Sequence, residues 1–179
     1  MIISNRLSAS ALALAAAVSM PLSAAQAEKI SMNFGIIDNK GNCGVQLPFD
    51  NGKKLELNVR SKDGNLNVRV QNLPAALVNA AKDKANSPIT LVFDGKEKVV
   101  VDEGYYSAGF YYELRGYWND SADGAAALRA FKKAKNITVK FDGQTFGPVS
   151  TQAGSINMAW GMIASCVERN GGVMPGDDG

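Results

Sequence analysis

The chain has 179 residues, with 19 Lys and Arg against 17 Asp and Glu, two cysteines and no histidine. Its near-neutral balance argues against nucleic acid or an anionic membrane surface as the main partner. The absence of histidine excludes Ser-His-Asp and Cys-His nucleophile pairs, the commonest general base and the usual zinc ligand.

Residues 1–27 read as a secretory leader. Arg6 is the only charge before Glu28, positions 9–18 are apolar, and Ala25-Gln26-Ala27 is a small-x-small cleavage site. Ser19, Pro21 and Ser23 break the apolar run before it reaches the roughly 20 residues of a membrane span. The expectation is a periplasmic or secreted protein, not inserted in the membrane after cleavage. It would have one globular domain over residues 28–170 and a flexible tail over 171–179. Loss of Arg6 with the leader leaves 18 basic against 17 acidic side chains. In an exported chain the two cysteines, Cys43 and Cys166, are expected to form a disulfide.

Ile30, Met32, Phe34 and Ile36 alternate with polar or small residues, as a half-buried strand does, and Asp38-Asn39-Lys40-Gly41-Asn42 turns the chain. Cys43, Val45, Leu47 and Phe49 alternate again. Asn51-Gly52 marks a hairpin, Leu55, Leu57 and Val59 return, and Leu66, Val68 and Val70 extend the meander past Asp63-Gly64. The intervening Lys54, Glu56, Asn58, Arg60, Asn67, Arg69 and Gln71 predict one wet face. Pro74 opens a helix that Ser87-Pro88 ends, with Leu73, Leu77, Ala81 and Ala85 on one face. A hairpin around Asp94-Gly95 follows, then an aromatic, mostly extended segment from Tyr105 to Trp118. A second helix starts at Ser121 or Asp123 and runs through Lys135, burying Ala127 or Leu128, Phe131 and Ala134. Another hairpin turns at Asp142-Gly143. The last helix repeats Ile156, Trp160, Ile163 and Val167 on one stripe and Met158, Met162 and Cys166 beside it, all expected in the core. Ser155 would cap it and Asn170-Gly171-Gly172 would stop it.

The segment from Ala75 through Ile89-Thr90-Leu91-Val92-Phe93-Asp94-Gly95 parallels that from Ala126 through Ile137-Thr138-Val139-Lys140-Phe141-Asp142-Gly143, 48 positions on. Two such helix-hairpin units after a meander predict an α+β, antiparallel, β-rich single domain with a pseudo-repeat and the C-terminal helix docked on the sheet.

Few chemistries remain. Asp38 to Asn42 fails as a calcium loop, because Lys40 stands where an oxygen ligand belongs. No metal site and no cofactor motif is present in the sequence. Asp102, Glu103, Glu113 and Asp120 lie among aromatics, which keeps a weak carbohydrate hydrolase with paired carboxylates as one alternative. A secreted enzyme inhibitor is another. The leading expectation is a non-enzymatic binding or accessory protein with a protein or glycan partner. Reading 108–115 as one strand puts Phe110, Tyr112 and Leu114 in the core. Tyr111, Glu113 and Arg115 then face outward beside Tyr117 and Trp118, and these five form the candidate binding surface.

The order of a helix, Ile137-Thr138-Val139-Lys140-Phe141-Asp142-Gly143-Gln144, Gly147-Pro148-Val149-Ser150 and Gly154-Ser155-Ile156-Asn157-Met158-Ala159-Trp160 with a cysteine in the terminal helix resembles small exported proteobacterial proteins of the invasion-associated locus B family. The resemblance covers residues 126–169. It implies a periplasmic or secreted β-rich domain of poorly defined biochemistry, with no catalytic residues to carry over; envelope function or host interaction is the expectation for the binding protein itself.

Overall fold

The computed structural model describes residues 34–151 and 153–175, without the side chains of 121 and 153–157. The expected leader at 1–27, Ile30 and Met32 of the first strand, the cap Ser155, the stripe residue Ile156 and the last four residues of the tail lie outside the described set.

Nine strands form one antiparallel sheet: β1 (Gly35–Asn39), β2 (Asn42–Phe49), β3 (Lys53–Arg60), β4 (Asn65–Gln71), β5 (Ser87–Phe93), β6 (Glu97–Ala108), β7 (Tyr112–Tyr117), β8 (Asn136–Phe141) and β9 (Gln144–Ser150). Helices α1 (Ala75–Ala81), α2 (Ser121–Lys133) and α3 (Ala153–Arg169) interrupt the strands, giving a mostly β, α+β fold. The strand order is β1-β2-β3-β4-β7-β6-β5-β8-β9, and the sheet coils so that β9 comes near β2. No helix among the described residues is long and apolar enough to cross a membrane.

Local chemistry places the turns. Lys40 and Gly41 both have positive φ, 49° and 81°, as do Asp142 and Gly143, at 46° and 73°. These are the left-handed pairs that join twisted antiparallel strands with two residues. Asp120 caps α2, its Oδ1 accepting from the Ala122 amide at 2.7 Å. One sheet face carries Val45, Leu47, Leu55, Leu57, Val68 and Val70, all buried. Leu128 and Phe131 of α2, Ala134 just beyond its end, and Ile163 and Val167 of α3 join the same core. Cys43 and Cys166 are bonded, with S–S 2.08 Å and Cα–Cα 5.7 Å.

Four expectations are corrected. The aromatic segment is not one strand: it folds back at Gly109 to Tyr111, so that Ala108 pairs with Tyr112. Phe110 therefore stands fully exposed at the tip of the hairpin, and Tyr112 is also exposed, leaving only Leu114 of the expected set in the core. Met158 and Met162 of α3 are exposed rather than buried. Four residues overshoot the 3.6-residue turn by about 40°, so a stripe that buries Cys166 has rotated outward by Met158. The start of the tail is seated: Met174 is buried, and the Gly172 amide donates to the Val167 carbonyl at 3.0 Å, too close to the Ser61 backbone to admit a side chain. The meander's polar face, expected to be wet, buries Glu56, Asn58, Asn67 and Gln71.

Candidate functional site

That polar face is built by register. Antiparallel pairing sets Gln46, Glu56, Arg69, Arg115 and Tyr105 side by side across β2, β3, β4, β7 and β6. The next rank is Gly44, Asn58, Asn67, Tyr117 and Glu103, and on the other side Lys54 pairs with Gln71 and Glu113 with Ser107. At roughly 4.8 Å between strands the ranks span about 19 Å. Each side chain alternates with a core residue of its strand, so the packing that buries Leu55, Leu57 and Val68 also aims this polar set to the opposite side.

Two carboxylates are enclosed here. Glu56 is 4% exposed, and its Oε2 accepts from Gln46 Nε2 at 3.0 Å and Gln71 Nε2 at 2.8 Å. Its Oε1 accepts from Asn58 Nδ2 and lies 3.7 Å from an Arg69 guanidinium nitrogen. Glu113 is 1% exposed and takes two nitrogens of Arg115, at 2.7 and 2.5 Å, on one oxygen, leaving Oε2 buried with no protein partner. Removing a carboxylate from water costs several kcal/mol unless neighbours replace the solvent, and here side-chain donors do so. Burial works against the charge on Arg115, but hydrogen bonding to Glu113 and its negative charge outweigh that, holding the guanidinium above its ordinary pKa.

Arg69 and Arg115 are direct cross-strand partners, a like-charge pair that destabilises a sheet unless compensated. Glu56 and Glu113 supply the compensation, one beside each arginine. Both guanidinium groups remain about a third exposed, with side-chain exposures of 31% and 32%. The Arg69 Nε and the Asn58 Oδ1 are buried without a protein partner. Tyr105 and Tyr117, both half-buried, stack with centroids 6.2 Å apart and planes at 17°. Burial raises the Tyr105 hydroxyl above the usual phenol pKa, with Tyr117 adding to the effect. The face thus offers two planar cations, two stacked rings and amide side chains, all held in place from below. It is equipped to bind a ligand bearing acceptors and a flat face.

Of the residues singled out in the sequence, Glu113, Arg115 and Tyr117 lie together on this face. Glu113 is buried beneath Arg115 instead of exposed. Tyr111 stands at the neighbouring hairpin tip, 52% exposed. Trp118 does not belong to the surface: it is 1% exposed, and its Nε1 donates to the Val100 carbonyl at 2.8 Å. Parity explains the difference, because Trp118 follows Tyr117 and turns to the core side. Sequence reasoning passed over Glu56, Arg69 and Gln71 as site residues. The signal for them was the tight turns at Asn51-Gly52 and Asp63-Gly64, which fix the register that stacks them.

The acids of the paired-carboxylate alternative are engaged separately, Glu113 by Arg115. Asp102 accepts from the Asn119 amide at 2.7 Å, Asp120 caps α2, and Glu103 takes a 3.4 Å contact from Asn86. Among the described residues no three His, Cys, Asp or Glu side chains are placed to share a metal ion. No family model matches the sequence, and no curated protein or solved structure matches it.

Proposed function

We propose that this is an exported, non-enzymatic binding or accessory protein of the bacterial envelope, which recognises its partner through the polar sheet face. The observation that carries the reading is the pair of arginines about a third exposed, Arg69 and Arg115, set beside the enclosed Glu56 and Glu113. A guanidinium locked by its own carboxylate loses little side-chain freedom on binding, so its remaining donors are available at small entropic cost. Tyr105 and Tyr117 add rigid contact area beside them, and Tyr111 extends the surface at the hairpin tip. The disulfide and the leader-like first 27 residues favour export. The resemblance of residues 126–169 to the invasion-associated locus B family belongs to the same reading, as an expectation of a periplasmic or secreted location. Engagement of Asp102 and Asp120 by backbone amides favours binding over paired-carboxylate hydrolysis.

The two helix-hairpin units are, in this reading, copies of one ancestral unit. Leu91 pairs with Val139, the residue 48 positions on, and Thr90 with Lys140 mirrors Val92 with Thr138. A local two-fold axis between β5 and β8 generates that register.

The test is capture of partners from envelope extract, followed by titration of the purified partner against variants. Arg69→Ala and Arg115→Lys, which keeps a cation beside Glu113, should each weaken binding about tenfold or more, as loss of a charge-assisted contact does, with circular dichroism as the folding control. Unchanged affinity in both variants, or turnover of a glycan or peptide by the purified protein, would overturn the reading.

A further inference from the structure

Two Asn-Gly pairs occur in the chain, Asn51-Gly52 and Asn170-Gly171, and the fold treats them in opposite ways. The pair is chemically labile, because glycine has no Cβ to keep its amide nitrogen from the preceding carboxamide. Asn170, at the end of α3, is clamped. Its Nδ2 donates to the Cys166 carbonyl at 2.8 Å, its own amide donates there at 3.2 Å, and the Gly171 amide donates to the Glu168 carbonyl at 2.9 Å. Gly172 beyond it is seated against the Ser61 backbone, and Cys166 is held by the disulfide. Asn51 is exposed, at φ 56° and ψ 35°, in the single 3-10 turn Asp50–Gly52 between β2 and β3. The Asn72 Nδ2 donates to the Gly52 carbonyl at 2.8 Å, but among the described residues no hydrogen bond holds the Asn51 carboxamide. Nothing lies within 4 Å of where a Gly52 side chain would stand, so the turn has room to swing.

We propose that Asn51 is a site of spontaneous deamidation to aspartate and isoaspartate, and that the fold protects Asn170 from the same reaction. The Gly52 amide nitrogen loses its proton to solvent base and bonds to the side-chain carbonyl carbon of Asn51, and the carboxamide nitrogen leaves as ammonia. Water then opens the five-membered imide at either carbonyl. One opening leaves aspartate at position 51. The other leaves isoaspartate, in which the main chain passes through the former side chain and is one methylene longer. Nothing is oxidised or reduced, and either product adds a negative charge to the turn. Ring closure needs freedom of the asparagine side chain and of the peptide bond after it, so its rate follows local opening. An exposed single turn opens at little cost. Asn170 must first give up its bonds at Cys166 and Glu168, each of which slows it about fivefold.

The experiment is incubation of the folded, oxidised protein at mildly alkaline pH, followed by peptide mapping in the mass spectrometer, where a deamidated peptide is one mass unit heavier. Methyl transfer by an isoaspartyl methyltransferase counts the isoaspartate. The Asn51 peptide should convert at least about tenfold faster than the Asn170 peptide. In denaturant with the disulfide reduced, both pairs sit in an unfolded chain and the ratio should fall to about threefold or less. Asn51→Gly, which accepts the left-handed turn and has no carboxamide, should remove the fast methyl acceptor and leave conversion at Asn170 unchanged. No conversion at Asn51, a ratio below about threefold in the folded protein, or a ratio undiminished by unfolding would overturn the proposal.

Discussion

The two helix-hairpin units carry the same Ile-Thr-x-x-Phe-Asp-Gly string, yet their aspartates do different work. Asp94 accepts from the Asn136 amide at 2.8 Å and the Lys135 amide at 2.9 Å, fastening the turn of the first unit to the start of β8. Asp142, at the matching place in the second, reaches only the Lys84 ammonium at 2.7 Å, with both side chains well exposed. The positions matching Lys135 and Asn136 are Ser87 and Pro88, and proline has no amide hydrogen to give. The connection differs too: residues 82–86 join α1 to β5, whereas only 134 and 135 join α2 to β8. A missing N–H and a longer connection thus go with the difference between a backbone clasp and a surface ion pair. The lesson is that a repeated motif fixes its turn, whereas the function of its side chain is set by what the other unit presents to it.

The units also differ in the element that comes next in the chain, and this gives the largest expected effect. The second leads into α3, whose Cys166 is bonded to Cys43 of β2 across a sequence separation of 123, while nothing covalent restrains the first. Replacing both cysteines by alanine should lower unfolding free energy by about 2–5 kcal/mol, the range for removal of a native disulfide. Chemical denaturation of the oxidised protein and the variant measures it. A change below about 1 kcal/mol would mean that the packing of Ile163 and Val167 alone holds α3, and that the covalent asymmetry between the units is idle.

A smaller effect separates the aspartates themselves. Asp94→Ala leaves two backbone amides without their carboxylate and should cost about 1–2 kcal/mol, as loss of a helix-cap oxygen does. Asp142→Ala breaks an exposed ion pair and should cost about 0.5 kcal/mol or less. Equal losses in thermal or denaturant unfolding would break the comparison, because they would show that the surface pair is as structural as the clasp.

How far the sequence could have led to this depends on the range of each interaction. The Asp-Gly hairpins and the cysteine pair were legible, since a two-residue left-handed turn and an oxidising compartment are local or compositional facts. The alternation of Leu55, Leu57 and Val59 located the core face of β3. It did not disclose that Glu56 and Asn58 are enclosed on the other face, because they are covered by neighbours from strands whose register is a long-range property. The aromatic hairpin was misread for a similar reason. Counting faces through Gly109 assumes an unbroken strand, and the bend moved Phe110 and Tyr111 to a tip while leaving the parity of Glu113 and Arg115 intact.

The smallest effect tests the comparison most directly. If Pro88 is what opens the second clasp, Pro88→Ala should restore a donor to Asp142 and bring the units closer together. Removing the proline frees the unfolded chain and costs about 0.4–1 kcal/mol, while a new amide hydrogen bond returns about 1 kcal/mol, so the single variant should be close to neutral. The informative quantity is the coupling in a double-mutant cycle with Asp142→Ala, which cancels the proline's effect on the unfolded chain. In the Pro88→Ala background Asp142→Ala should cost about 1 kcal/mol more than in the native chain, the worth of the regained bond. A coupling within the roughly 0.3–0.5 kcal/mol expected of independent sites would leave the longer connection at residues 82–86, rather than the missing amide, as the cause of the difference between the two aspartates.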